Sequence, residues 1–230
     1  MQRLRALLRY FSPVEWGLWL LSLSAILTFD LLFGGDGVFS LVASLIGVTA
    51  LIFCAKGNPL GQALCVVFGV LYAVISYSFA YYGEMLTYVG MTVPMAVLSL
   101  WAWLRNPYGG KRSEVRVATL TRRDAVLAPT LTALVTVVFY FVLGAFGTAN
   151  LLPSTLSVAT SFLAVYLTFR RSPWFALAYA ANDLVLVVLW VLATLTDRSY
   201  LSVVVCFSMF FLNDVYAFFN WWRLKKKQSE

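Results

Sequence analysis

A chain of 230 residues that is 61% hydrophobic, 17% aromatic and only 12% charged, with a mean hydropathy of +0.83, is not a water-soluble domain; such domains carry about a quarter charged residues. The composition specifies an integral membrane protein, in which a net charge of +7 marks loops held in the cytoplasm and not a nucleic-acid surface. Histidine is absent, removing the usual proton shuttle and the commonest metal ligand, and Cys54, Cys65 and Cys206 lie far apart in apolar runs without CxxC spacing, so neither metal nor cofactor is expected.

The chain opens with "MQRLRALLRY". Over residues 1–13, Leu4, Leu7, Leu8 and Phe11 share one helical face while Arg3, Arg5 and Arg9 lie elsewhere, which suits a short amphipathic segment on the membrane surface. Eight apolar stretches follow, each long enough to span a hydrocarbon core about 30 Å thick. Span A, 14–33, is too long for the core of a signal peptide and has no small-residue cleavage site after it, so it is read as a retained helix. Spans B (38–55), C (60–82) and D (84–104) come next. Pro94 lies near the middle of D, where it should kink the helix and free a backbone carbonyl, as a hinge or as static packing. The loop 105–125, "RNPYGGKRSEVRVATLTRRD" and the residue after it, is polar and basic, and its expected task is topological. Spans E (126–147), F (150–169), G (173–195) and H (199–222) complete the set, before a basic tail, 223–230.

With the N-terminus inside, every lysine and arginine except Arg198 falls on the cytoplasmic side, while Asp36, Glu84 and Asp197 mark the outer turns. The asymmetry obeys the positive-inside rule and predicts a multi-pass membrane protein with both termini in the cytoplasm.

"WAWLR" closes span D and "NWWRLKKK" closes H; a shift of 118 residues puts Trp103 on Trp221 and Arg105 on Arg223. Both runs follow an inward loop containing proline, Pro59 or Pro173. Segments 38–104 and 150–222 are therefore expected to be parallel copies of one three-helix unit, with E as the connector that parallel copies require. Parallel repeats related by an axis along the membrane normal place a substrate site between them, near the midplane.

Two stretches carry polar pairs into that midplane: "YAANDLVLVVLW" (179–190) and "FLNDVYAFFNWW" (211–222). Asn182 and Asn213 each lie ten residues in from the basic end of their span, about 15 Å deep at 1.5 Å per residue. On span G, Tyr179, Asp183 and Trp190 share a face with Asn182 on its flank; on span H, Asn213, Tyr216 and Asn220 form a stripe beside Asp214. Amides, carboxylates and aromatic rings together suit a flat, polar, cationic organic molecule. The alternative is that they join helices to one another. Tyr72 and Ser76 on span C, and Tyr88 and Thr92 on span D, are weaker candidates for the same site. Walker A and GxSxG sequences are absent, so no enzyme is expected.

These two stretches, the extension of the second over "SYLSVVVCFSMFFLNDVYAFFNWWR", and "GQALCVVFGVLYAVISYSFAYYGEMLTYVGMTVPMAVLSLWAW" in the first half resemble the PnuC family of vitamin transporters, and the paired ND segments and Trp-rich ends resemble its nicotinamide riboside branch. The likeness covers most of spans C, D, G and H. It implies an all-α fold of an N-terminal helix plus 3+1+3 helices in parallel repeats, SWEET-like in arrangement, assembled as a homotrimer. It also implies uptake of nicotinamide riboside by facilitated diffusion, with a cytosolic kinase trapping the substrate as its phosphate. A flat cationic ring with a hydroxylated sugar agrees with the polar residues, and no lysine or arginine lies in the membrane interior to receive a phosphate. Thiamine and riboflavin carriers share the scaffold, and a proton-coupled carrier using Asp183 or Asp214 is a further alternative.

Overall fold

The computed structural model describes residues 10–33, 37–78, 82–148 and 150–230, without the side chains of Glu84 and Ser199. The expected amphipathic segment before Tyr10 and the acidic turn at Asp36 lie outside the described residues. Among those described, eight helical stretches are long and apolar enough to cross a membrane, matching the eight expected spans. They are α1 (Pro13–Phe33), α2 (Val38–Ala55), α3 (Pro59–Ser78), a broken stretch, α6 (Arg122–Ala145), α7 (Leu151–Phe169), α8 (Trp174–Thr194) and α9 (Leu201–Ser229). The broken stretch consists of α4 (Tyr82–Thr87), a π-turn (Tyr88–Thr92) and α5 (Val93–Arg105).

The break answers to Pro94. Proline has no amide proton and its ring crowds the carbonyl four residues back. The chain accommodates it by widening the preceding turn, so that the Val93 amide reaches the carbonyl of Tyr88, five residues earlier. The expected kink is thus a π-turn that begins six residues before the proline. At the other end, α9 does not stop at residue 222 but runs on to Ser229, since "RLKKKQS" contains good helix formers and neither glycine nor proline.

Helix α2 packs on α3, α3 on α5, α5 on α7, α7 on α8, α8 on α9, and α9 back on α2, which closes a ring of six. Helices α1 and α6 lie outside it, α1 against α9 and α2, and α6 against α7. The outer helix α1 is pinned near its start by Glu15, which is only 2% exposed; its carboxylate pairs with Lys56 at 2.9 Å and accepts from the Tyr216 hydroxyl at 3.0 Å. At this basic end the ring is plugged by Trp103 and Trp221, both fully buried, with ring centroids 5.3 Å apart. Each indole donates across the ring to the last turn of another helix: Trp103 from α5 to the Thr168 carbonyl of α7 (3.0 Å), and Trp221 from α9 to the Cys54 carbonyl of α2 (2.8 Å). The turns that follow α2 and α7 also match, with Gly57 and Arg171 both in the left-handed region at φ 66° and 56°.

The loop after α5 is more than a polar connection. Gly109 and Gly110, both with positive φ, form the turn of a small antiparallel hairpin, β1 (Pro107–Tyr108) and β2 (Lys111–Val115). Val115 is fully buried against the tryptophan plug, and its amide donates to the Gly57 carbonyl at 2.8 Å. The Ala118 amide donates to the Arg171 carbonyl at 3.0 Å, and the Val117 amide to Oε1 of Gln228 on α9 at 2.8 Å. The segment therefore straps together the α2–α3 turn, the α7–α8 turn and the end of α9.

Candidate functional site

Inside the ring lies a cavity of about 200 Å³, a compartment for a small molecule. Helix α8 supplies much of its polar lining. Asn182 (5% exposed) and Asp183 (3%) are consecutive, roughly 100° apart around the helix, and so look toward different neighbours. Asn182 faces α7, where its Oδ1 accepts hydrogen bonds from Thr160 (2.8 Å), Ser161 (3.0 Å) and Ser157 (3.3 Å). Asp183 faces α9 and meets Asp214, itself 3% exposed, carboxyl against carboxyl. The second oxygen of Asp183, Oδ2, is buried with no hydrogen-bond partner. Ionised carboxylates only accept, so two of them in contact require a proton or a cation between them.

An aromatic wall stands on the other half of the ring. The rings of Phe68 and Tyr72 on α3 lie 4.7 Å apart, Tyr72 and Tyr88 of the π-turn 5.4 Å, and Phe68 meets Phe210 of α9 at 6.0 Å. Trp190, tilted against Tyr200 at 5.3 Å, lines the cavity toward the far end of α8. Phe175 and Cys54 form the floor, above the tryptophan plug.

Of the residues expected at the site, Tyr179, Asn182, Asp183, Trp190 and Asp214 line this cavity, as do Tyr72, Tyr88 and Thr92. Four others do not. Asn213 turns outward to α1, donating to the Ser22 hydroxyl at 3.0 Å and to the Met209 carbonyl at 2.7 Å. Tyr216 bonds Glu15, Asn220 donates to the Ala55 carbonyl at 2.8 Å, and Ser76 is buried at 2% exposure away from the main cavity. The α9 stripe is a true polar face, but α1 and α2 cover it; a helical period gives the face and not the neighbour. Sequence reading missed Phe68, Phe210 and the α7 hydroxyls Ser154, Ser157 and Ser161, all of which line the cavity. The spacing of Ser157, Thr160 and Ser161 at i, i+3 and i+4 was the available signal, since it puts three hydroxyls on one face of an apolar span.

A family model described as nicotinamide mononucleotide transporter matches residues 37–223. The chain is similar to a nicotinamide riboside transporter PnuC of Neisseria mucosa, 27% identical over 216 residues that make up 92% of this chain and 82% of that protein. It is also similar to a nicotinamide riboside transporter PnuC of Haemophilus influenzae, 22% identical over 199 residues, or 84% of this chain and 83% of the relative. In three dimensions it superposes on the crystal structure of a vitamin B3 transporter PnuC with a TM-score of 0.80 and 23% identity, covering 95% of this chain and 94% of that one.

Proposed function

The chain belongs to the nicotinamide mononucleotide transporter family and is a multi-pass membrane transporter, not an enzyme; from that premise we propose that its cargo is nicotinamide riboside, taken up by facilitated diffusion. The observation that carries the choice is the cavity lining. It offers a buried carboxylate pair with one unpartnered oxygen, an aromatic wall, and no lysine or arginine among the described lining residues. A pyridinium ring calls for the first two. A mononucleotide would bring a phosphate, which calls for basic side chains or helix N-termini in a buried site. The two curated relatives bear the riboside name, which supports the same choice over the family's mononucleotide description.

Architecture belongs to the same proposal. We read α2–α3–α5 and α7–α8–α9 as parallel repeats in a SWEET-like 3+1+3 arrangement, with α1 added and α6 as connector. Support comes from the reciprocal tryptophan bonds, each from the third helix of one unit to the first helix of the other, and from the matched left-handed turns at Gly57 and Arg171. The basic end, where α1 begins and α9 ends, faces the cytoplasm of the bacterial inner membrane, where a kinase then traps the cargo as its phosphate. The assembly is a homotrimer, and α6, little of which is buried within the chain, offers a face for it.

The test is ligand-dependent heat stabilisation of the purified chain across nicotinamide riboside, its mononucleotide, thiamine and riboflavin. The riboside is expected to raise the melting temperature most. A larger rise with thiamine would move the cargo to the other flat cationic vitamin, and a larger rise with the mononucleotide would overturn the reading of the lining. A second reading, proton-coupled transport, is favoured by one observation, the contact of Asp183 with Asp214.

A further inference from the structure

Helix α8 divides the polar lining into two unlike regions. On the side of Asp183 it meets α9 and presents carboxyl groups. On the side of Asn182 it meets α7 and presents hydroxyls, with Ser154, Ser157 and Ser161 all reaching the cavity. Serine and threonine inside a helix ordinarily return their proton to the carbonyl four residues back, as Thr155 and Thr168 of α7 do here at 2.7 Å and 2.8 Å. Ser157 and Ser161 instead turn across to Asn182.

The hydroxyl group is richer than Asn182 needs. An amide oxygen has two lone pairs, while three hydroxyls stand within 3.3 Å of it. Thr160 also has the Leu156 and Ser157 carbonyls within 3.1 Å for its single proton. Each hydroxyl that donates to Asn182 still keeps lone pairs, and these line the cavity beside Ser154 of the same helix, whereas Gln62, Tyr72, Thr87, Tyr88 and Thr92 supply neutral polar groups from α3 and the broken stretch. A ligand with one cationic end and one polyhydroxylated end would satisfy both regions at once.

We propose that Ser157 and Ser161 of α7, with Asn182 held between them, form the subsite for the sugar hydroxyls of the substrate, separate from the Asp183–Asp214 region that takes the cationic ring. The inference rests on the nicotinamide riboside reading and adds to it a direction: the sugar lies against α7 and the ring toward α9. Vicinal hydroxyls both donate and accept, which a row of serines can reciprocate and a carboxylate pair cannot. The competing account is that these serines only join α7 to α8.

The experiment uses two ligands that share the pyridinium ring: nicotinamide riboside, and N-methylnicotinamide, in which a methyl group replaces the sugar. Affinities are measured on the purified full chain in detergent for the wild type, Ser157→Ala, Ser161→Ala, the double variant, Ser161→Thr and Asp183→Asn. The double variant is expected to lose about tenfold in riboside affinity through two lost hydrogen bonds, with binding of the methyl compound unchanged. Ser161→Thr keeps the hydroxyl and should retain riboside binding, while Asp183→Asn should weaken both ligands. Parallel loss of both ligands in the serine variants would assign them to helix packing and overturn the proposal. So would a wild type that shows no preference for the riboside over the methyl compound. If the wild type binds neither ligand, the cargo itself is wrong and both readings fall together; binding of both with no serine effect would sink the subsite alone. Should the double variant not fold, the single variants read the same contrast at about threefold each.

Discussion

Asn182 and Asp183 are neighbours in sequence that serve different partners, and substitutions there should separate by ligand. Asp183→Asn preserves shape while removing negative charge, which matters most in a low-dielectric cavity. It is expected to weaken nicotinamide riboside on the order of tenfold more than a neutral analogue with a reduced nicotinamide ring. Paired affinities for the two ligands check this, and equal weakening would make the carboxylate a purely structural group. Asn213 provides the contrast. Its contacts are with Ser22 and the Met209 carbonyl, so Asn213→Ala should lower stability by about 1–2 kcal/mol and leave ligand affinity within about twofold. Thermal melting and titration of one preparation decide it; a large affinity loss at unchanged stability would return Asn213 to the site. Sequence alone had given both ND pairs equal standing. Depth along a helix is legible from residue count, but direction depends on which helix lies alongside, and α1, nearly two hundred residues earlier, took the second asparagine.

The spans were legible as elements because hydrocarbon thickness leaves little latitude in the length of an apolar run. What the runs did not carry was the departure from regularity. Pro94 foretold a distortion in span D, yet its form, a widened turn that delivers Tyr88 and Thr92 to the cavity, depends on how the surrounding helices hold the released carbonyls. The basic loop was less legible still. Its "GG" is a recognised hairpin turn, but "KRSEV" lacks the apolar alternation of a strand, and only Val115 is apolar enough to dock. That single anchor should be measurable. Val115→Ala is expected to cost about 1–3 kcal/mol, through a cavity left against the tryptophan plug. Lys111→Ala, in the exposed strand, should cost nothing detectable. A melting temperature unmoved by Val115→Ala would mean that the strap rests on its backbone bonds alone.

At the scale of the molecule, the six-helix ring encloses the cavity with Asn182, Asp183 and Asp214 and leaves α1 and α6 outside. The cavity has no nucleotide-binding motif beside it, and transport is expected to be energy-independent. Proteoliposomes supplied with nicotinamide riboside and no ion gradient should equilibrate it across the bilayer. Accumulation beyond equilibrium under an imposed pH gradient would favour proton coupling, with Asp183 and Asp214 as the first residues to neutralise.

The floor of the cavity has a practical consequence in chemical labelling. Cys54 and Cys65 both line it, neither is in a disulfide, and the chain has only one other cysteine, Cys206. The natural protein thus contains its own reporter groups where the plug would have to part for cargo to leave. A small, membrane-impermeant thiol reagent applied from one side of a sealed vesicle should modify them only when the cavity opens to that side, and bound cargo should slow the reaction. Mass spectrometry of the two cysteines, with reagent inside or outside, would record which way the unloaded carrier rests. Equal modification from both sides with no protection by cargo would mean that the reagent arrives by a route other than the transport path.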